Sequence, residues 1–376
     1  MRIIVVGPAP PLRGGISEHT KGLYENLIID HQVRIFSFSV QYPKIFFPGK
    51  SQYSDNKKSF HDIKYSINSI NPFSWLKTAT KIIKSKPDLV IFTYWHPFFS
   101  LCYAYIAKRI KYQLPSVKLI SICHNIKAHE SGIFDNYLIQ LYLNNFDFFL
   151  LMSKYVEKQL CGYKKKYKSK VRFLPILKNY KSKFKKNKLR KEYGLNVESK
   201  VILFFGLIRP YKGLDNLLHS IKNIFKQDRN YKLIIAGESY QKLNDYKSII
   251  SENKFSNQIK WYNQFISNKD IEKLMTLSDL LVLPYKSASQ SGVLSQSWQF
   301  NLPSIVTNVG GLSEQVIDGK SGFIVEPNNI KELETKISTF FDDKLSDDMI
   351  NYIKSNKNKY DWNYYLDGIM KLYESA

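Results

Sequence analysis

Short runs of β-branched and aromatic residues alternate with amphipathic stretches along the whole chain, and this alternation restricts the fold more than any other feature. In the first half the runs are Ile3–Val6, Val33–Phe38, Leu89–Thr93, Leu119–Cys123, Phe148–Met152 and Arg172–Leu174. Helical patterns lie between them at Glu18–Leu27, Trp75–Lys84, Leu101–Ile110 and Tyr137–Leu143. In the second half "VILFFG" (Val201–Gly206), "KLIIAG" (Lys232–Gly237), "IKWY" (Ile259–Tyr262), "DLLVLP" (Asp279–Pro284), "PSIVT" (Pro303–Thr307) and "GFIV" (Gly322–Val325) read as strands, with a helix after each of the first five. Apolar strands separated by helices belong to parallel sheets covered on both faces. At 376 residues the chain also exceeds the size at which one core stops growing. The expected architecture is α/β, with two doubly wound Rossmann-like domains facing each other across a cleft. The basic, turn-rich stretch Lys178–Leu195 sets their boundary, giving domains at 1–180 and 181–358. Residues 359–376 read as a tail helix whose aromatics pack back on the first domain.

Hydrophobic residues at 44% suffice for ordinary cores, and aromatics at 15% favour buried sheets and grooves that cover ligands. The three cysteines, Cys102, Cys123 and Cys161, lack metal-ligand spacing and read as buried thiols of a reducing cytosol. No segment approaches the ~18 apolar residues of a membrane span, and "MRIIVVG" reads as a first strand rather than a signal segment. The expected location is cytoplasmic.

The formal net charge of +24 calls for an anionic partner. Between Lys154 and Lys191 there are sixteen Lys or Arg residues and one acid, Glu157. Nucleic acid is excluded as the expected partner, because no zinc finger, helix-turn-helix or RNP-like motif is present. An anionic membrane surface fits better, at roughly 1 kcal/mol per basic residue near the lipid. The aromatic, basic loop "YPKIFFPGK" (Tyr42–Lys50) suits an acceptor groove close to lipid.

Dinucleotide binding needs G-x-G-x-x-G after the first strand and an acid at the end of the second. Here strand one leads into "GPAPPLRGGISEH" and strand two ends "RIFSFSV", so NAD is not expected. Two "GKS" triplets fail as P-loops, since the required glycines are replaced by Glu314 and Lys44. Phosphate binding by other means remains. "GLIRPYKGLDNLL" follows a strand and opens a helix, and Arg209 and Lys212 there can clamp a diphosphate, as a fork and as a point charge. Two cations at a helix N-terminus oppose its dipole, which makes the placement costly without an anion.

Together "PPLRGGISEHT", "HNIKAHE", "FFGLIRPYKGLDNLL", "LIIAGE", "DLLVLPY" and "NLPSIVTNVGGLSEQVIDGKSGFIV" resemble, in order, the family-4 glycosyltransferases of the GT-B fold. "FTYWHPFF" is similar to a subset that makes bacterial surface polysaccharides. The resemblance implies an acceptor-binding first domain and a second domain that holds a nucleotide-sugar. It further implies sugar transfer with retention of configuration, without a metal or other cofactor.

The resemblance places Gly14 and Gly15 beside the donor diphosphate and the acceptor, His124 against the donor sugar, and Phe265 and Ile266 along the base. From the residues alone, Gly14 and Gly15 allow a phosphate to approach the backbone. His124 ends "LISICH" at the carboxyl edge of the first sheet, where doubly wound folds bind ligands. His129 and Glu130 lie near enough in sequence to orient it or to meet an acceptor, while His19 reads as a packing or capping residue.

Most members of the family carry two glutamates eight positions apart before the proline-led strand, and here those positions are Ala288 and Gln296. The stretch offers instead the N–H groups of Ser291, Gly292 and Val293 at a helix start, suited to a β-phosphate. The amides of Gln290 and Gln296 can bond sugar or ribose hydroxyls. A missing carboxylate does not forbid transfer, because the leaving diphosphate can itself take the acceptor's proton while the protein positions both partners.

The sequence therefore points to a retaining, metal-independent glycosyltransferase, peripheral on the inner face of the cytoplasmic membrane. Its donor is a UDP- or GDP-linked sugar and its acceptor a polyprenyl-diphosphate-linked saccharide in surface polysaccharide assembly. Arg209, Lys212 and His124 are the expected catalytic residues. The rival readings are a catalytically idle GT-B sugar-binding or scaffold protein and, more distantly, a sugar-nucleotide epimerase.

Overall fold

A computed structural model describes residues 1–43, 52–53, 62–127, 132–176, 184–239, 243–252 and 255–375. In chain order the first elements are β1 (Arg2–Val6), α1 (Gly15–Leu27), β2 (Gln32–Val40), β3 (Ile63–Asn68), α2 (Pro72–Lys84), β4 (Leu89–Tyr94) and α3 (Ser100–Gln113). Then come β5 (Lys118–Cys123), α4 (Asp135–Leu143), β6 (Phe148–Leu151), α5 (Lys154–Cys161), β7 (Lys168–Val171) and α6 (Lys186–Glu192). The second series is β8 (Lys200–Phe205), α7 (Leu214–Gln227), β9 (Tyr231–Ala236), α8 (Asn244–Glu252), β10 (Ile259–Tyr262), α9 (Asn268–Leu277) and β11 (Leu280–Leu283). It continues with α10 (Gly292–Gln299), β12 (Ser304–Thr307), β13 (Gly322–Val325), α11 (Ile330–Asp342), α12 (Ser346–Asn356) and α13 (Trp362–Glu374).

The chain divides into two compact units: Met1–Leu177 with Lys359–Ala376, and Lys178–Asn358. Unit 1 holds a seven-stranded parallel sheet in the order β3-β2-β1-β4-β5-β6-β7. Successive residues of a strand face opposite sides, so β1 sends Ile4 and Val6 into one core and Ile3 and Val5 into another. The first core packs under α2, α3 and α4 through residues such as Ile82, Ile106 and Ile139. The second is closed by α1 and by α13, which contributes Tyr365, Ile369 and Leu372. Local signals start the helices where expected: Asn71 accepts from the Phe73 N–H ahead of α2, and Ser153 from the Val156 N–H ahead of α5.

Unit 2 repeats the design with six parallel strands ordered β10-β9-β8-β11-β12-β13. Ile202, Phe204, Ile235 and Val282 pack one face against Leu217, Ile221 and Phe225 of α7 and Leu333 and Ile337 of α11. In both sheets the order reverses beside the first strand of the unit, at β1/β4 and at β8/β11. Open α/β sheets bind ligands at such switch points, off the carboxyl ends of the strands.

Four sequence expectations are corrected. Arg172–Leu174 is not a strand; the edge strand is β7, Lys168–Val171, whose lysines alternate outward. β3 was not anticipated. No α-helix follows "PSIVT", where only a 3₁₀ turn at Ser313–Gln315 occurs. Cys161, expected as a buried thiol, is exposed, while Cys102 and Cys123 are buried. The boundary stretch Lys178–Leu195 contains α6, held by Arg190 and Lys186 at 2.6 and 2.5 Å from Asp279. Most of the loop Tyr42–Lys50, and both His129 and Glu130, lie outside the described residues.

Candidate functional site

At the unit 2 switch point the loop after β8 meets the loop after β11. Lys212 donates from Nζ to the Tyr285 hydroxyl at 2.6 Å and sits 4.1 Å from the centre of its ring. The Lys286 N–H donates to the Tyr211 carbonyl at 2.7 Å, and its ammonium pairs with Asp215 in the first turn of α7 at 2.6 Å. Gly213 adopts φ 67°, and a Cβ there would fall 1.9 Å from the Pro284 carbonyl oxygen. Only glycine serves both the left-handed backbone and this close approach. Gly206, with φ 119°, leaves room at the end of β8, where a Cβ would stand 3.4 Å from Val293 and 3.7 Å from the Lys212 ammonium.

The start of α10 therefore lies against the Arg209–Lys212 loop. Ser291 caps α10 by accepting from the Leu294 N–H. The N–H groups of Gly292 and Val293, in the first turn, have no intrahelical carbonyl to bond. Lys212 is half-buried, and desolvation lowers the pKa of its ammonium. Tyr285 is buried, and its hydroxyl is pushed well above the usual phenol range by burial, against a smaller opposing effect of Ser291. The Oε1 atoms of Gln290 and Gln296 are buried without a hydrogen-bond partner among the described residues. A cation and the first turn of a helix thus meet beside Gly206, an arrangement suited to a phosphate.

The structure does not gather every expected residue of unit 2 into this spot. Phe265 and Ile266 follow β10, the edge strand two positions from β8, a separation of roughly 10 Å at ordinary strand spacing. Phe265 is exposed and Ile266 is buried. Ala288 is buried, and its carbonyl accepts from the Gly311 N–H.

In unit 1, Gly14 caps α1 at φ 119°, and open space surrounds the Cβ positions of both Gly14 and Gly15. His124 follows β5, donating its backbone N–H to the Tyr94 carbonyl at 2.8 Å. Its ring meets that of His19, on α1, edge to face with centroids 4.8 Å apart. His19 also stacks on Trp362 at 5.7 Å and meets Tyr365 edge-on at 5.3 Å, both from α13. Both histidines are buried, and none of their four ring nitrogens has a partner among the described residues. Burial pulls the His124 pKa down to about 3, and burial with the nearby His124 lowers that of His19. Both rings are therefore neutral near pH 7, so each can donate and accept one hydrogen bond. The ring contacts of His19 agree with its reading as a packing residue, whereas Tyr285 is not among the residues singled out from sequence. The tyrosine closing "DLLVLPY" was the available signal.

Basic residues of the stretch 154–191 are partly spent within the units. Lys164 pairs with Asp147 at 3.5 Å, Arg172 with Asp367 at 3.1 Å, and Lys186 and Arg190 with Asp279.

Two parallel α/β units with these switch points define the GT-B fold. The structure of a glycosyltransferase from Rickettsia africae superimposes with a TM-score of 0.77 at 20% identity, covering 100% of this chain and 98% of that one. The structure of HepE from Anabaena in complex with UDP superimposes with a TM-score of 0.78 at 16% identity, covering 100% of both chains. Residues 185–356, nearly all of unit 2, match the family described as glycosyl transferases group 1. An uncharacterized glycosyltransferase of Methanocaldococcus jannaschii is 26% identical over 378 residues, covering 100% of this chain and 98% of that protein. The capsular polysaccharide biosynthesis glycosyltransferase CapM of Staphylococcus aureus is 27% identical over 169 residues, 42% of this chain and 41% of that protein. The segment 185–356 is thus similar to the group 1 glycosyl transferases, within a chain of GT-B fold.

Proposed function

We propose that the protein is a retaining glycosyltransferase that moves a sugar from a UDP- or GDP-linked donor to a lipid-linked saccharide in surface polysaccharide assembly. The observation that carries this reading is the convergence of Lys212, Tyr285 and the first turn of α10 at the unit 2 switch point. Arg209 and Lys212 neutralise charge on the departing diphosphate, and the N–H groups of Ser291, Gly292 and Val293 hold its β-phosphate. Stabilising the leaving group in this way needs neither a metal ion nor a protein carboxylate. The diphosphate oxygen takes the acceptor proton, which accounts for Ala288 and Gln296 where acids are usual. Gln290 and Gln296 bond sugar or ribose hydroxyls, and Phe265 and Ile266 line the base. In unit 1, Gly14 and Gly15 admit a phosphate to the backbone, and neutral His124 bonds a sugar hydroxyl.

The role in surface polysaccharide assembly is supported by the likeness to CapM over 42% of this chain. No helix among the described residues is long and apolar enough to cross a membrane, so contact with an anionic membrane surface is proposed as peripheral. The test is release of nucleoside diphosphate from a panel of nucleotide-sugars in the presence of membrane extract. Turnover with one donor, reduced ~100-fold or more in Lys212→Ala, is the expected result. Tight binding of nucleotide-sugars with no turnover of any would establish the idle protein instead.

A further inference from the structure

Unit 1 carries a basic depression with a volume of about 590 Å³, lined by neither His19 nor His124. Lys127, Asn136, Tyr155, Lys158, Gln159 and Tyr163 line it. Tyr155, Lys158 and Gln159 recur at the three- and four-residue spacing of one helix face on α5. The opposite side is Asn136, in the first turn of α4, whose Oδ1 accepts from the Tyr163 hydroxyl at 2.5 Å. Lys127 comes from the segment just past the carboxyl end of β5. Its backbone N–H reaches Gln159 Oε1 at 3.5 Å and its ammonium lies 5.7 Å from the centre of the Tyr163 ring.

None of the described residues lining the depression is acidic. Lys127 and Lys158 are exposed and in no ion pair among the described residues. Among the described residues, the nearby acids are hydrogen-bonded: Asp135 accepts from the Gly132 N–H at 2.9 Å, and Glu157 from the Ser169 hydroxyl at 2.6 Å. Two unpaired ammonium groups, two phenols and two amides in one hollow match a phosphate or diphosphate.

The rim supplies a second and different chemistry. Ile133, Phe134 and Tyr137 flank Asn136 in sequence and are 96%, 74% and 68% exposed. Large apolar side chains this exposed and this close together mark a surface that something apolar covers. An anion-binding hollow bordered by such side chains matches a molecule with a charged head and a hydrocarbon tail.

We propose that this depression binds the phosphate or diphosphate headgroup of a lipid, with the hydrocarbon lying over Ile133, Phe134 and Tyr137. Lys127 and Lys158 hold the anion. Identifying that lipid as the carrier of the acceptor rests on the transferase reading above; the binding site itself does not.

The test is calorimetric titration of the full chain with farnesyl diphosphate and with inorganic diphosphate. Excess UDP and GDP are present so that any anion site in unit 2 is filled. Farnesyl diphosphate should bind at least ~10-fold more tightly than inorganic diphosphate. The double variant Lys127→Gln, Lys158→Gln should weaken both by ~10-fold or more. The double variant Phe134→Ser, Tyr137→Ser should weaken only the isoprenyl compound. All four side chains are exposed, and unchanged melting temperatures would show that the variants fold. Equal affinity for the two ligands would make the occupant a free phosphate and overturn the lipid assignment. Wild-type affinity in the lysine variant would remove the site altogether. No sugar donor enters these titrations, so their failure and the failure of the transferase reading are separate results.

Discussion

Lys212 places its ammonium 2.6 Å from the Tyr285 hydroxyl, in surroundings that oppose the lysine's charge. A cation held where it is poorly solvated gains most from an arriving anion.

Replacing this lysine should therefore separate stability from activity. Lys212→Met removes the desolvated charge, while Tyr285 keeps Ser291 beside its hydroxyl. The ligand-free melting temperature should stay level or rise, and transfer should fall by ~100-fold or more. A lower melting temperature with transfer intact would dispose of the anion role.

The histidine pair predicts acid sensitivity of unit 1. The folded pKa of His124, about 3, lies below the ordinary histidine value, and that of His19 is lowered too. Between about pH 6.5 and 3 the unfolded chain binds more protons at these positions, so stability falls as pH falls through that window. Each histidine contributes up to about 1.4 kcal/mol per pH unit. Denaturant unfolding across this range should show a shallower dependence in His124→Gln, and an unaltered slope would contradict the assignment.

Two glycines should respond in opposite ways. Gly213→Ala drives a methyl group into the Pro284 carbonyl at a left-handed φ, and should cost about 2 kcal/mol or more. Gly15 has open space around it and begins a helix. Gly15→Ala should leave unfolding unchanged within ~0.5 kcal/mol while lowering transfer if a phosphate approaches there. Comparable unfolding free energies for the two variants would refute the steric argument.

The amides are predicted to read hydroxyls. Gln290→Met and Gln296→Met remove buried oxygens that lack partners, so folding should be unharmed or improved. The KM for the donor should rise by about 10-fold in at least one of them. Steady-state kinetics over donor concentration decide this, and an unchanged KM in both would exclude the role.

The sheets were largely legible because a strand buried on both faces must be apolar throughout, as in Val201–Phe205. Edge strands escape that rule. β3, "IKYSIN", and β7, "KSKV", pair on one side only and carry exposed lysines. The apolar residues after β7 consequently looked more like a strand than β7 itself. The absent helix after β12 has a local cause, since Gly310 takes φ 51° and turns the chain away. The loop after β8 could be read because its glycines, Gly206 and Gly213, are dictated by backbone geometry. The histidine pair could not, because the partners that enclose His19 come from residues 362 and 365.

Those partners have a consequence for how the molecule is made. During synthesis every residue of unit 2 leaves the ribosome before Trp362–Glu374 does, so the unit encoded second is ready to fold first. Until α13 arrives, one side of the seven-stranded sheet exposes Ile91, Ile122 and Leu150 to solvent. A nascent chain in that state is a client for chaperones. A chimera that exchanges the first unit must carry both Met1–Leu177 and Lys359–Ala376.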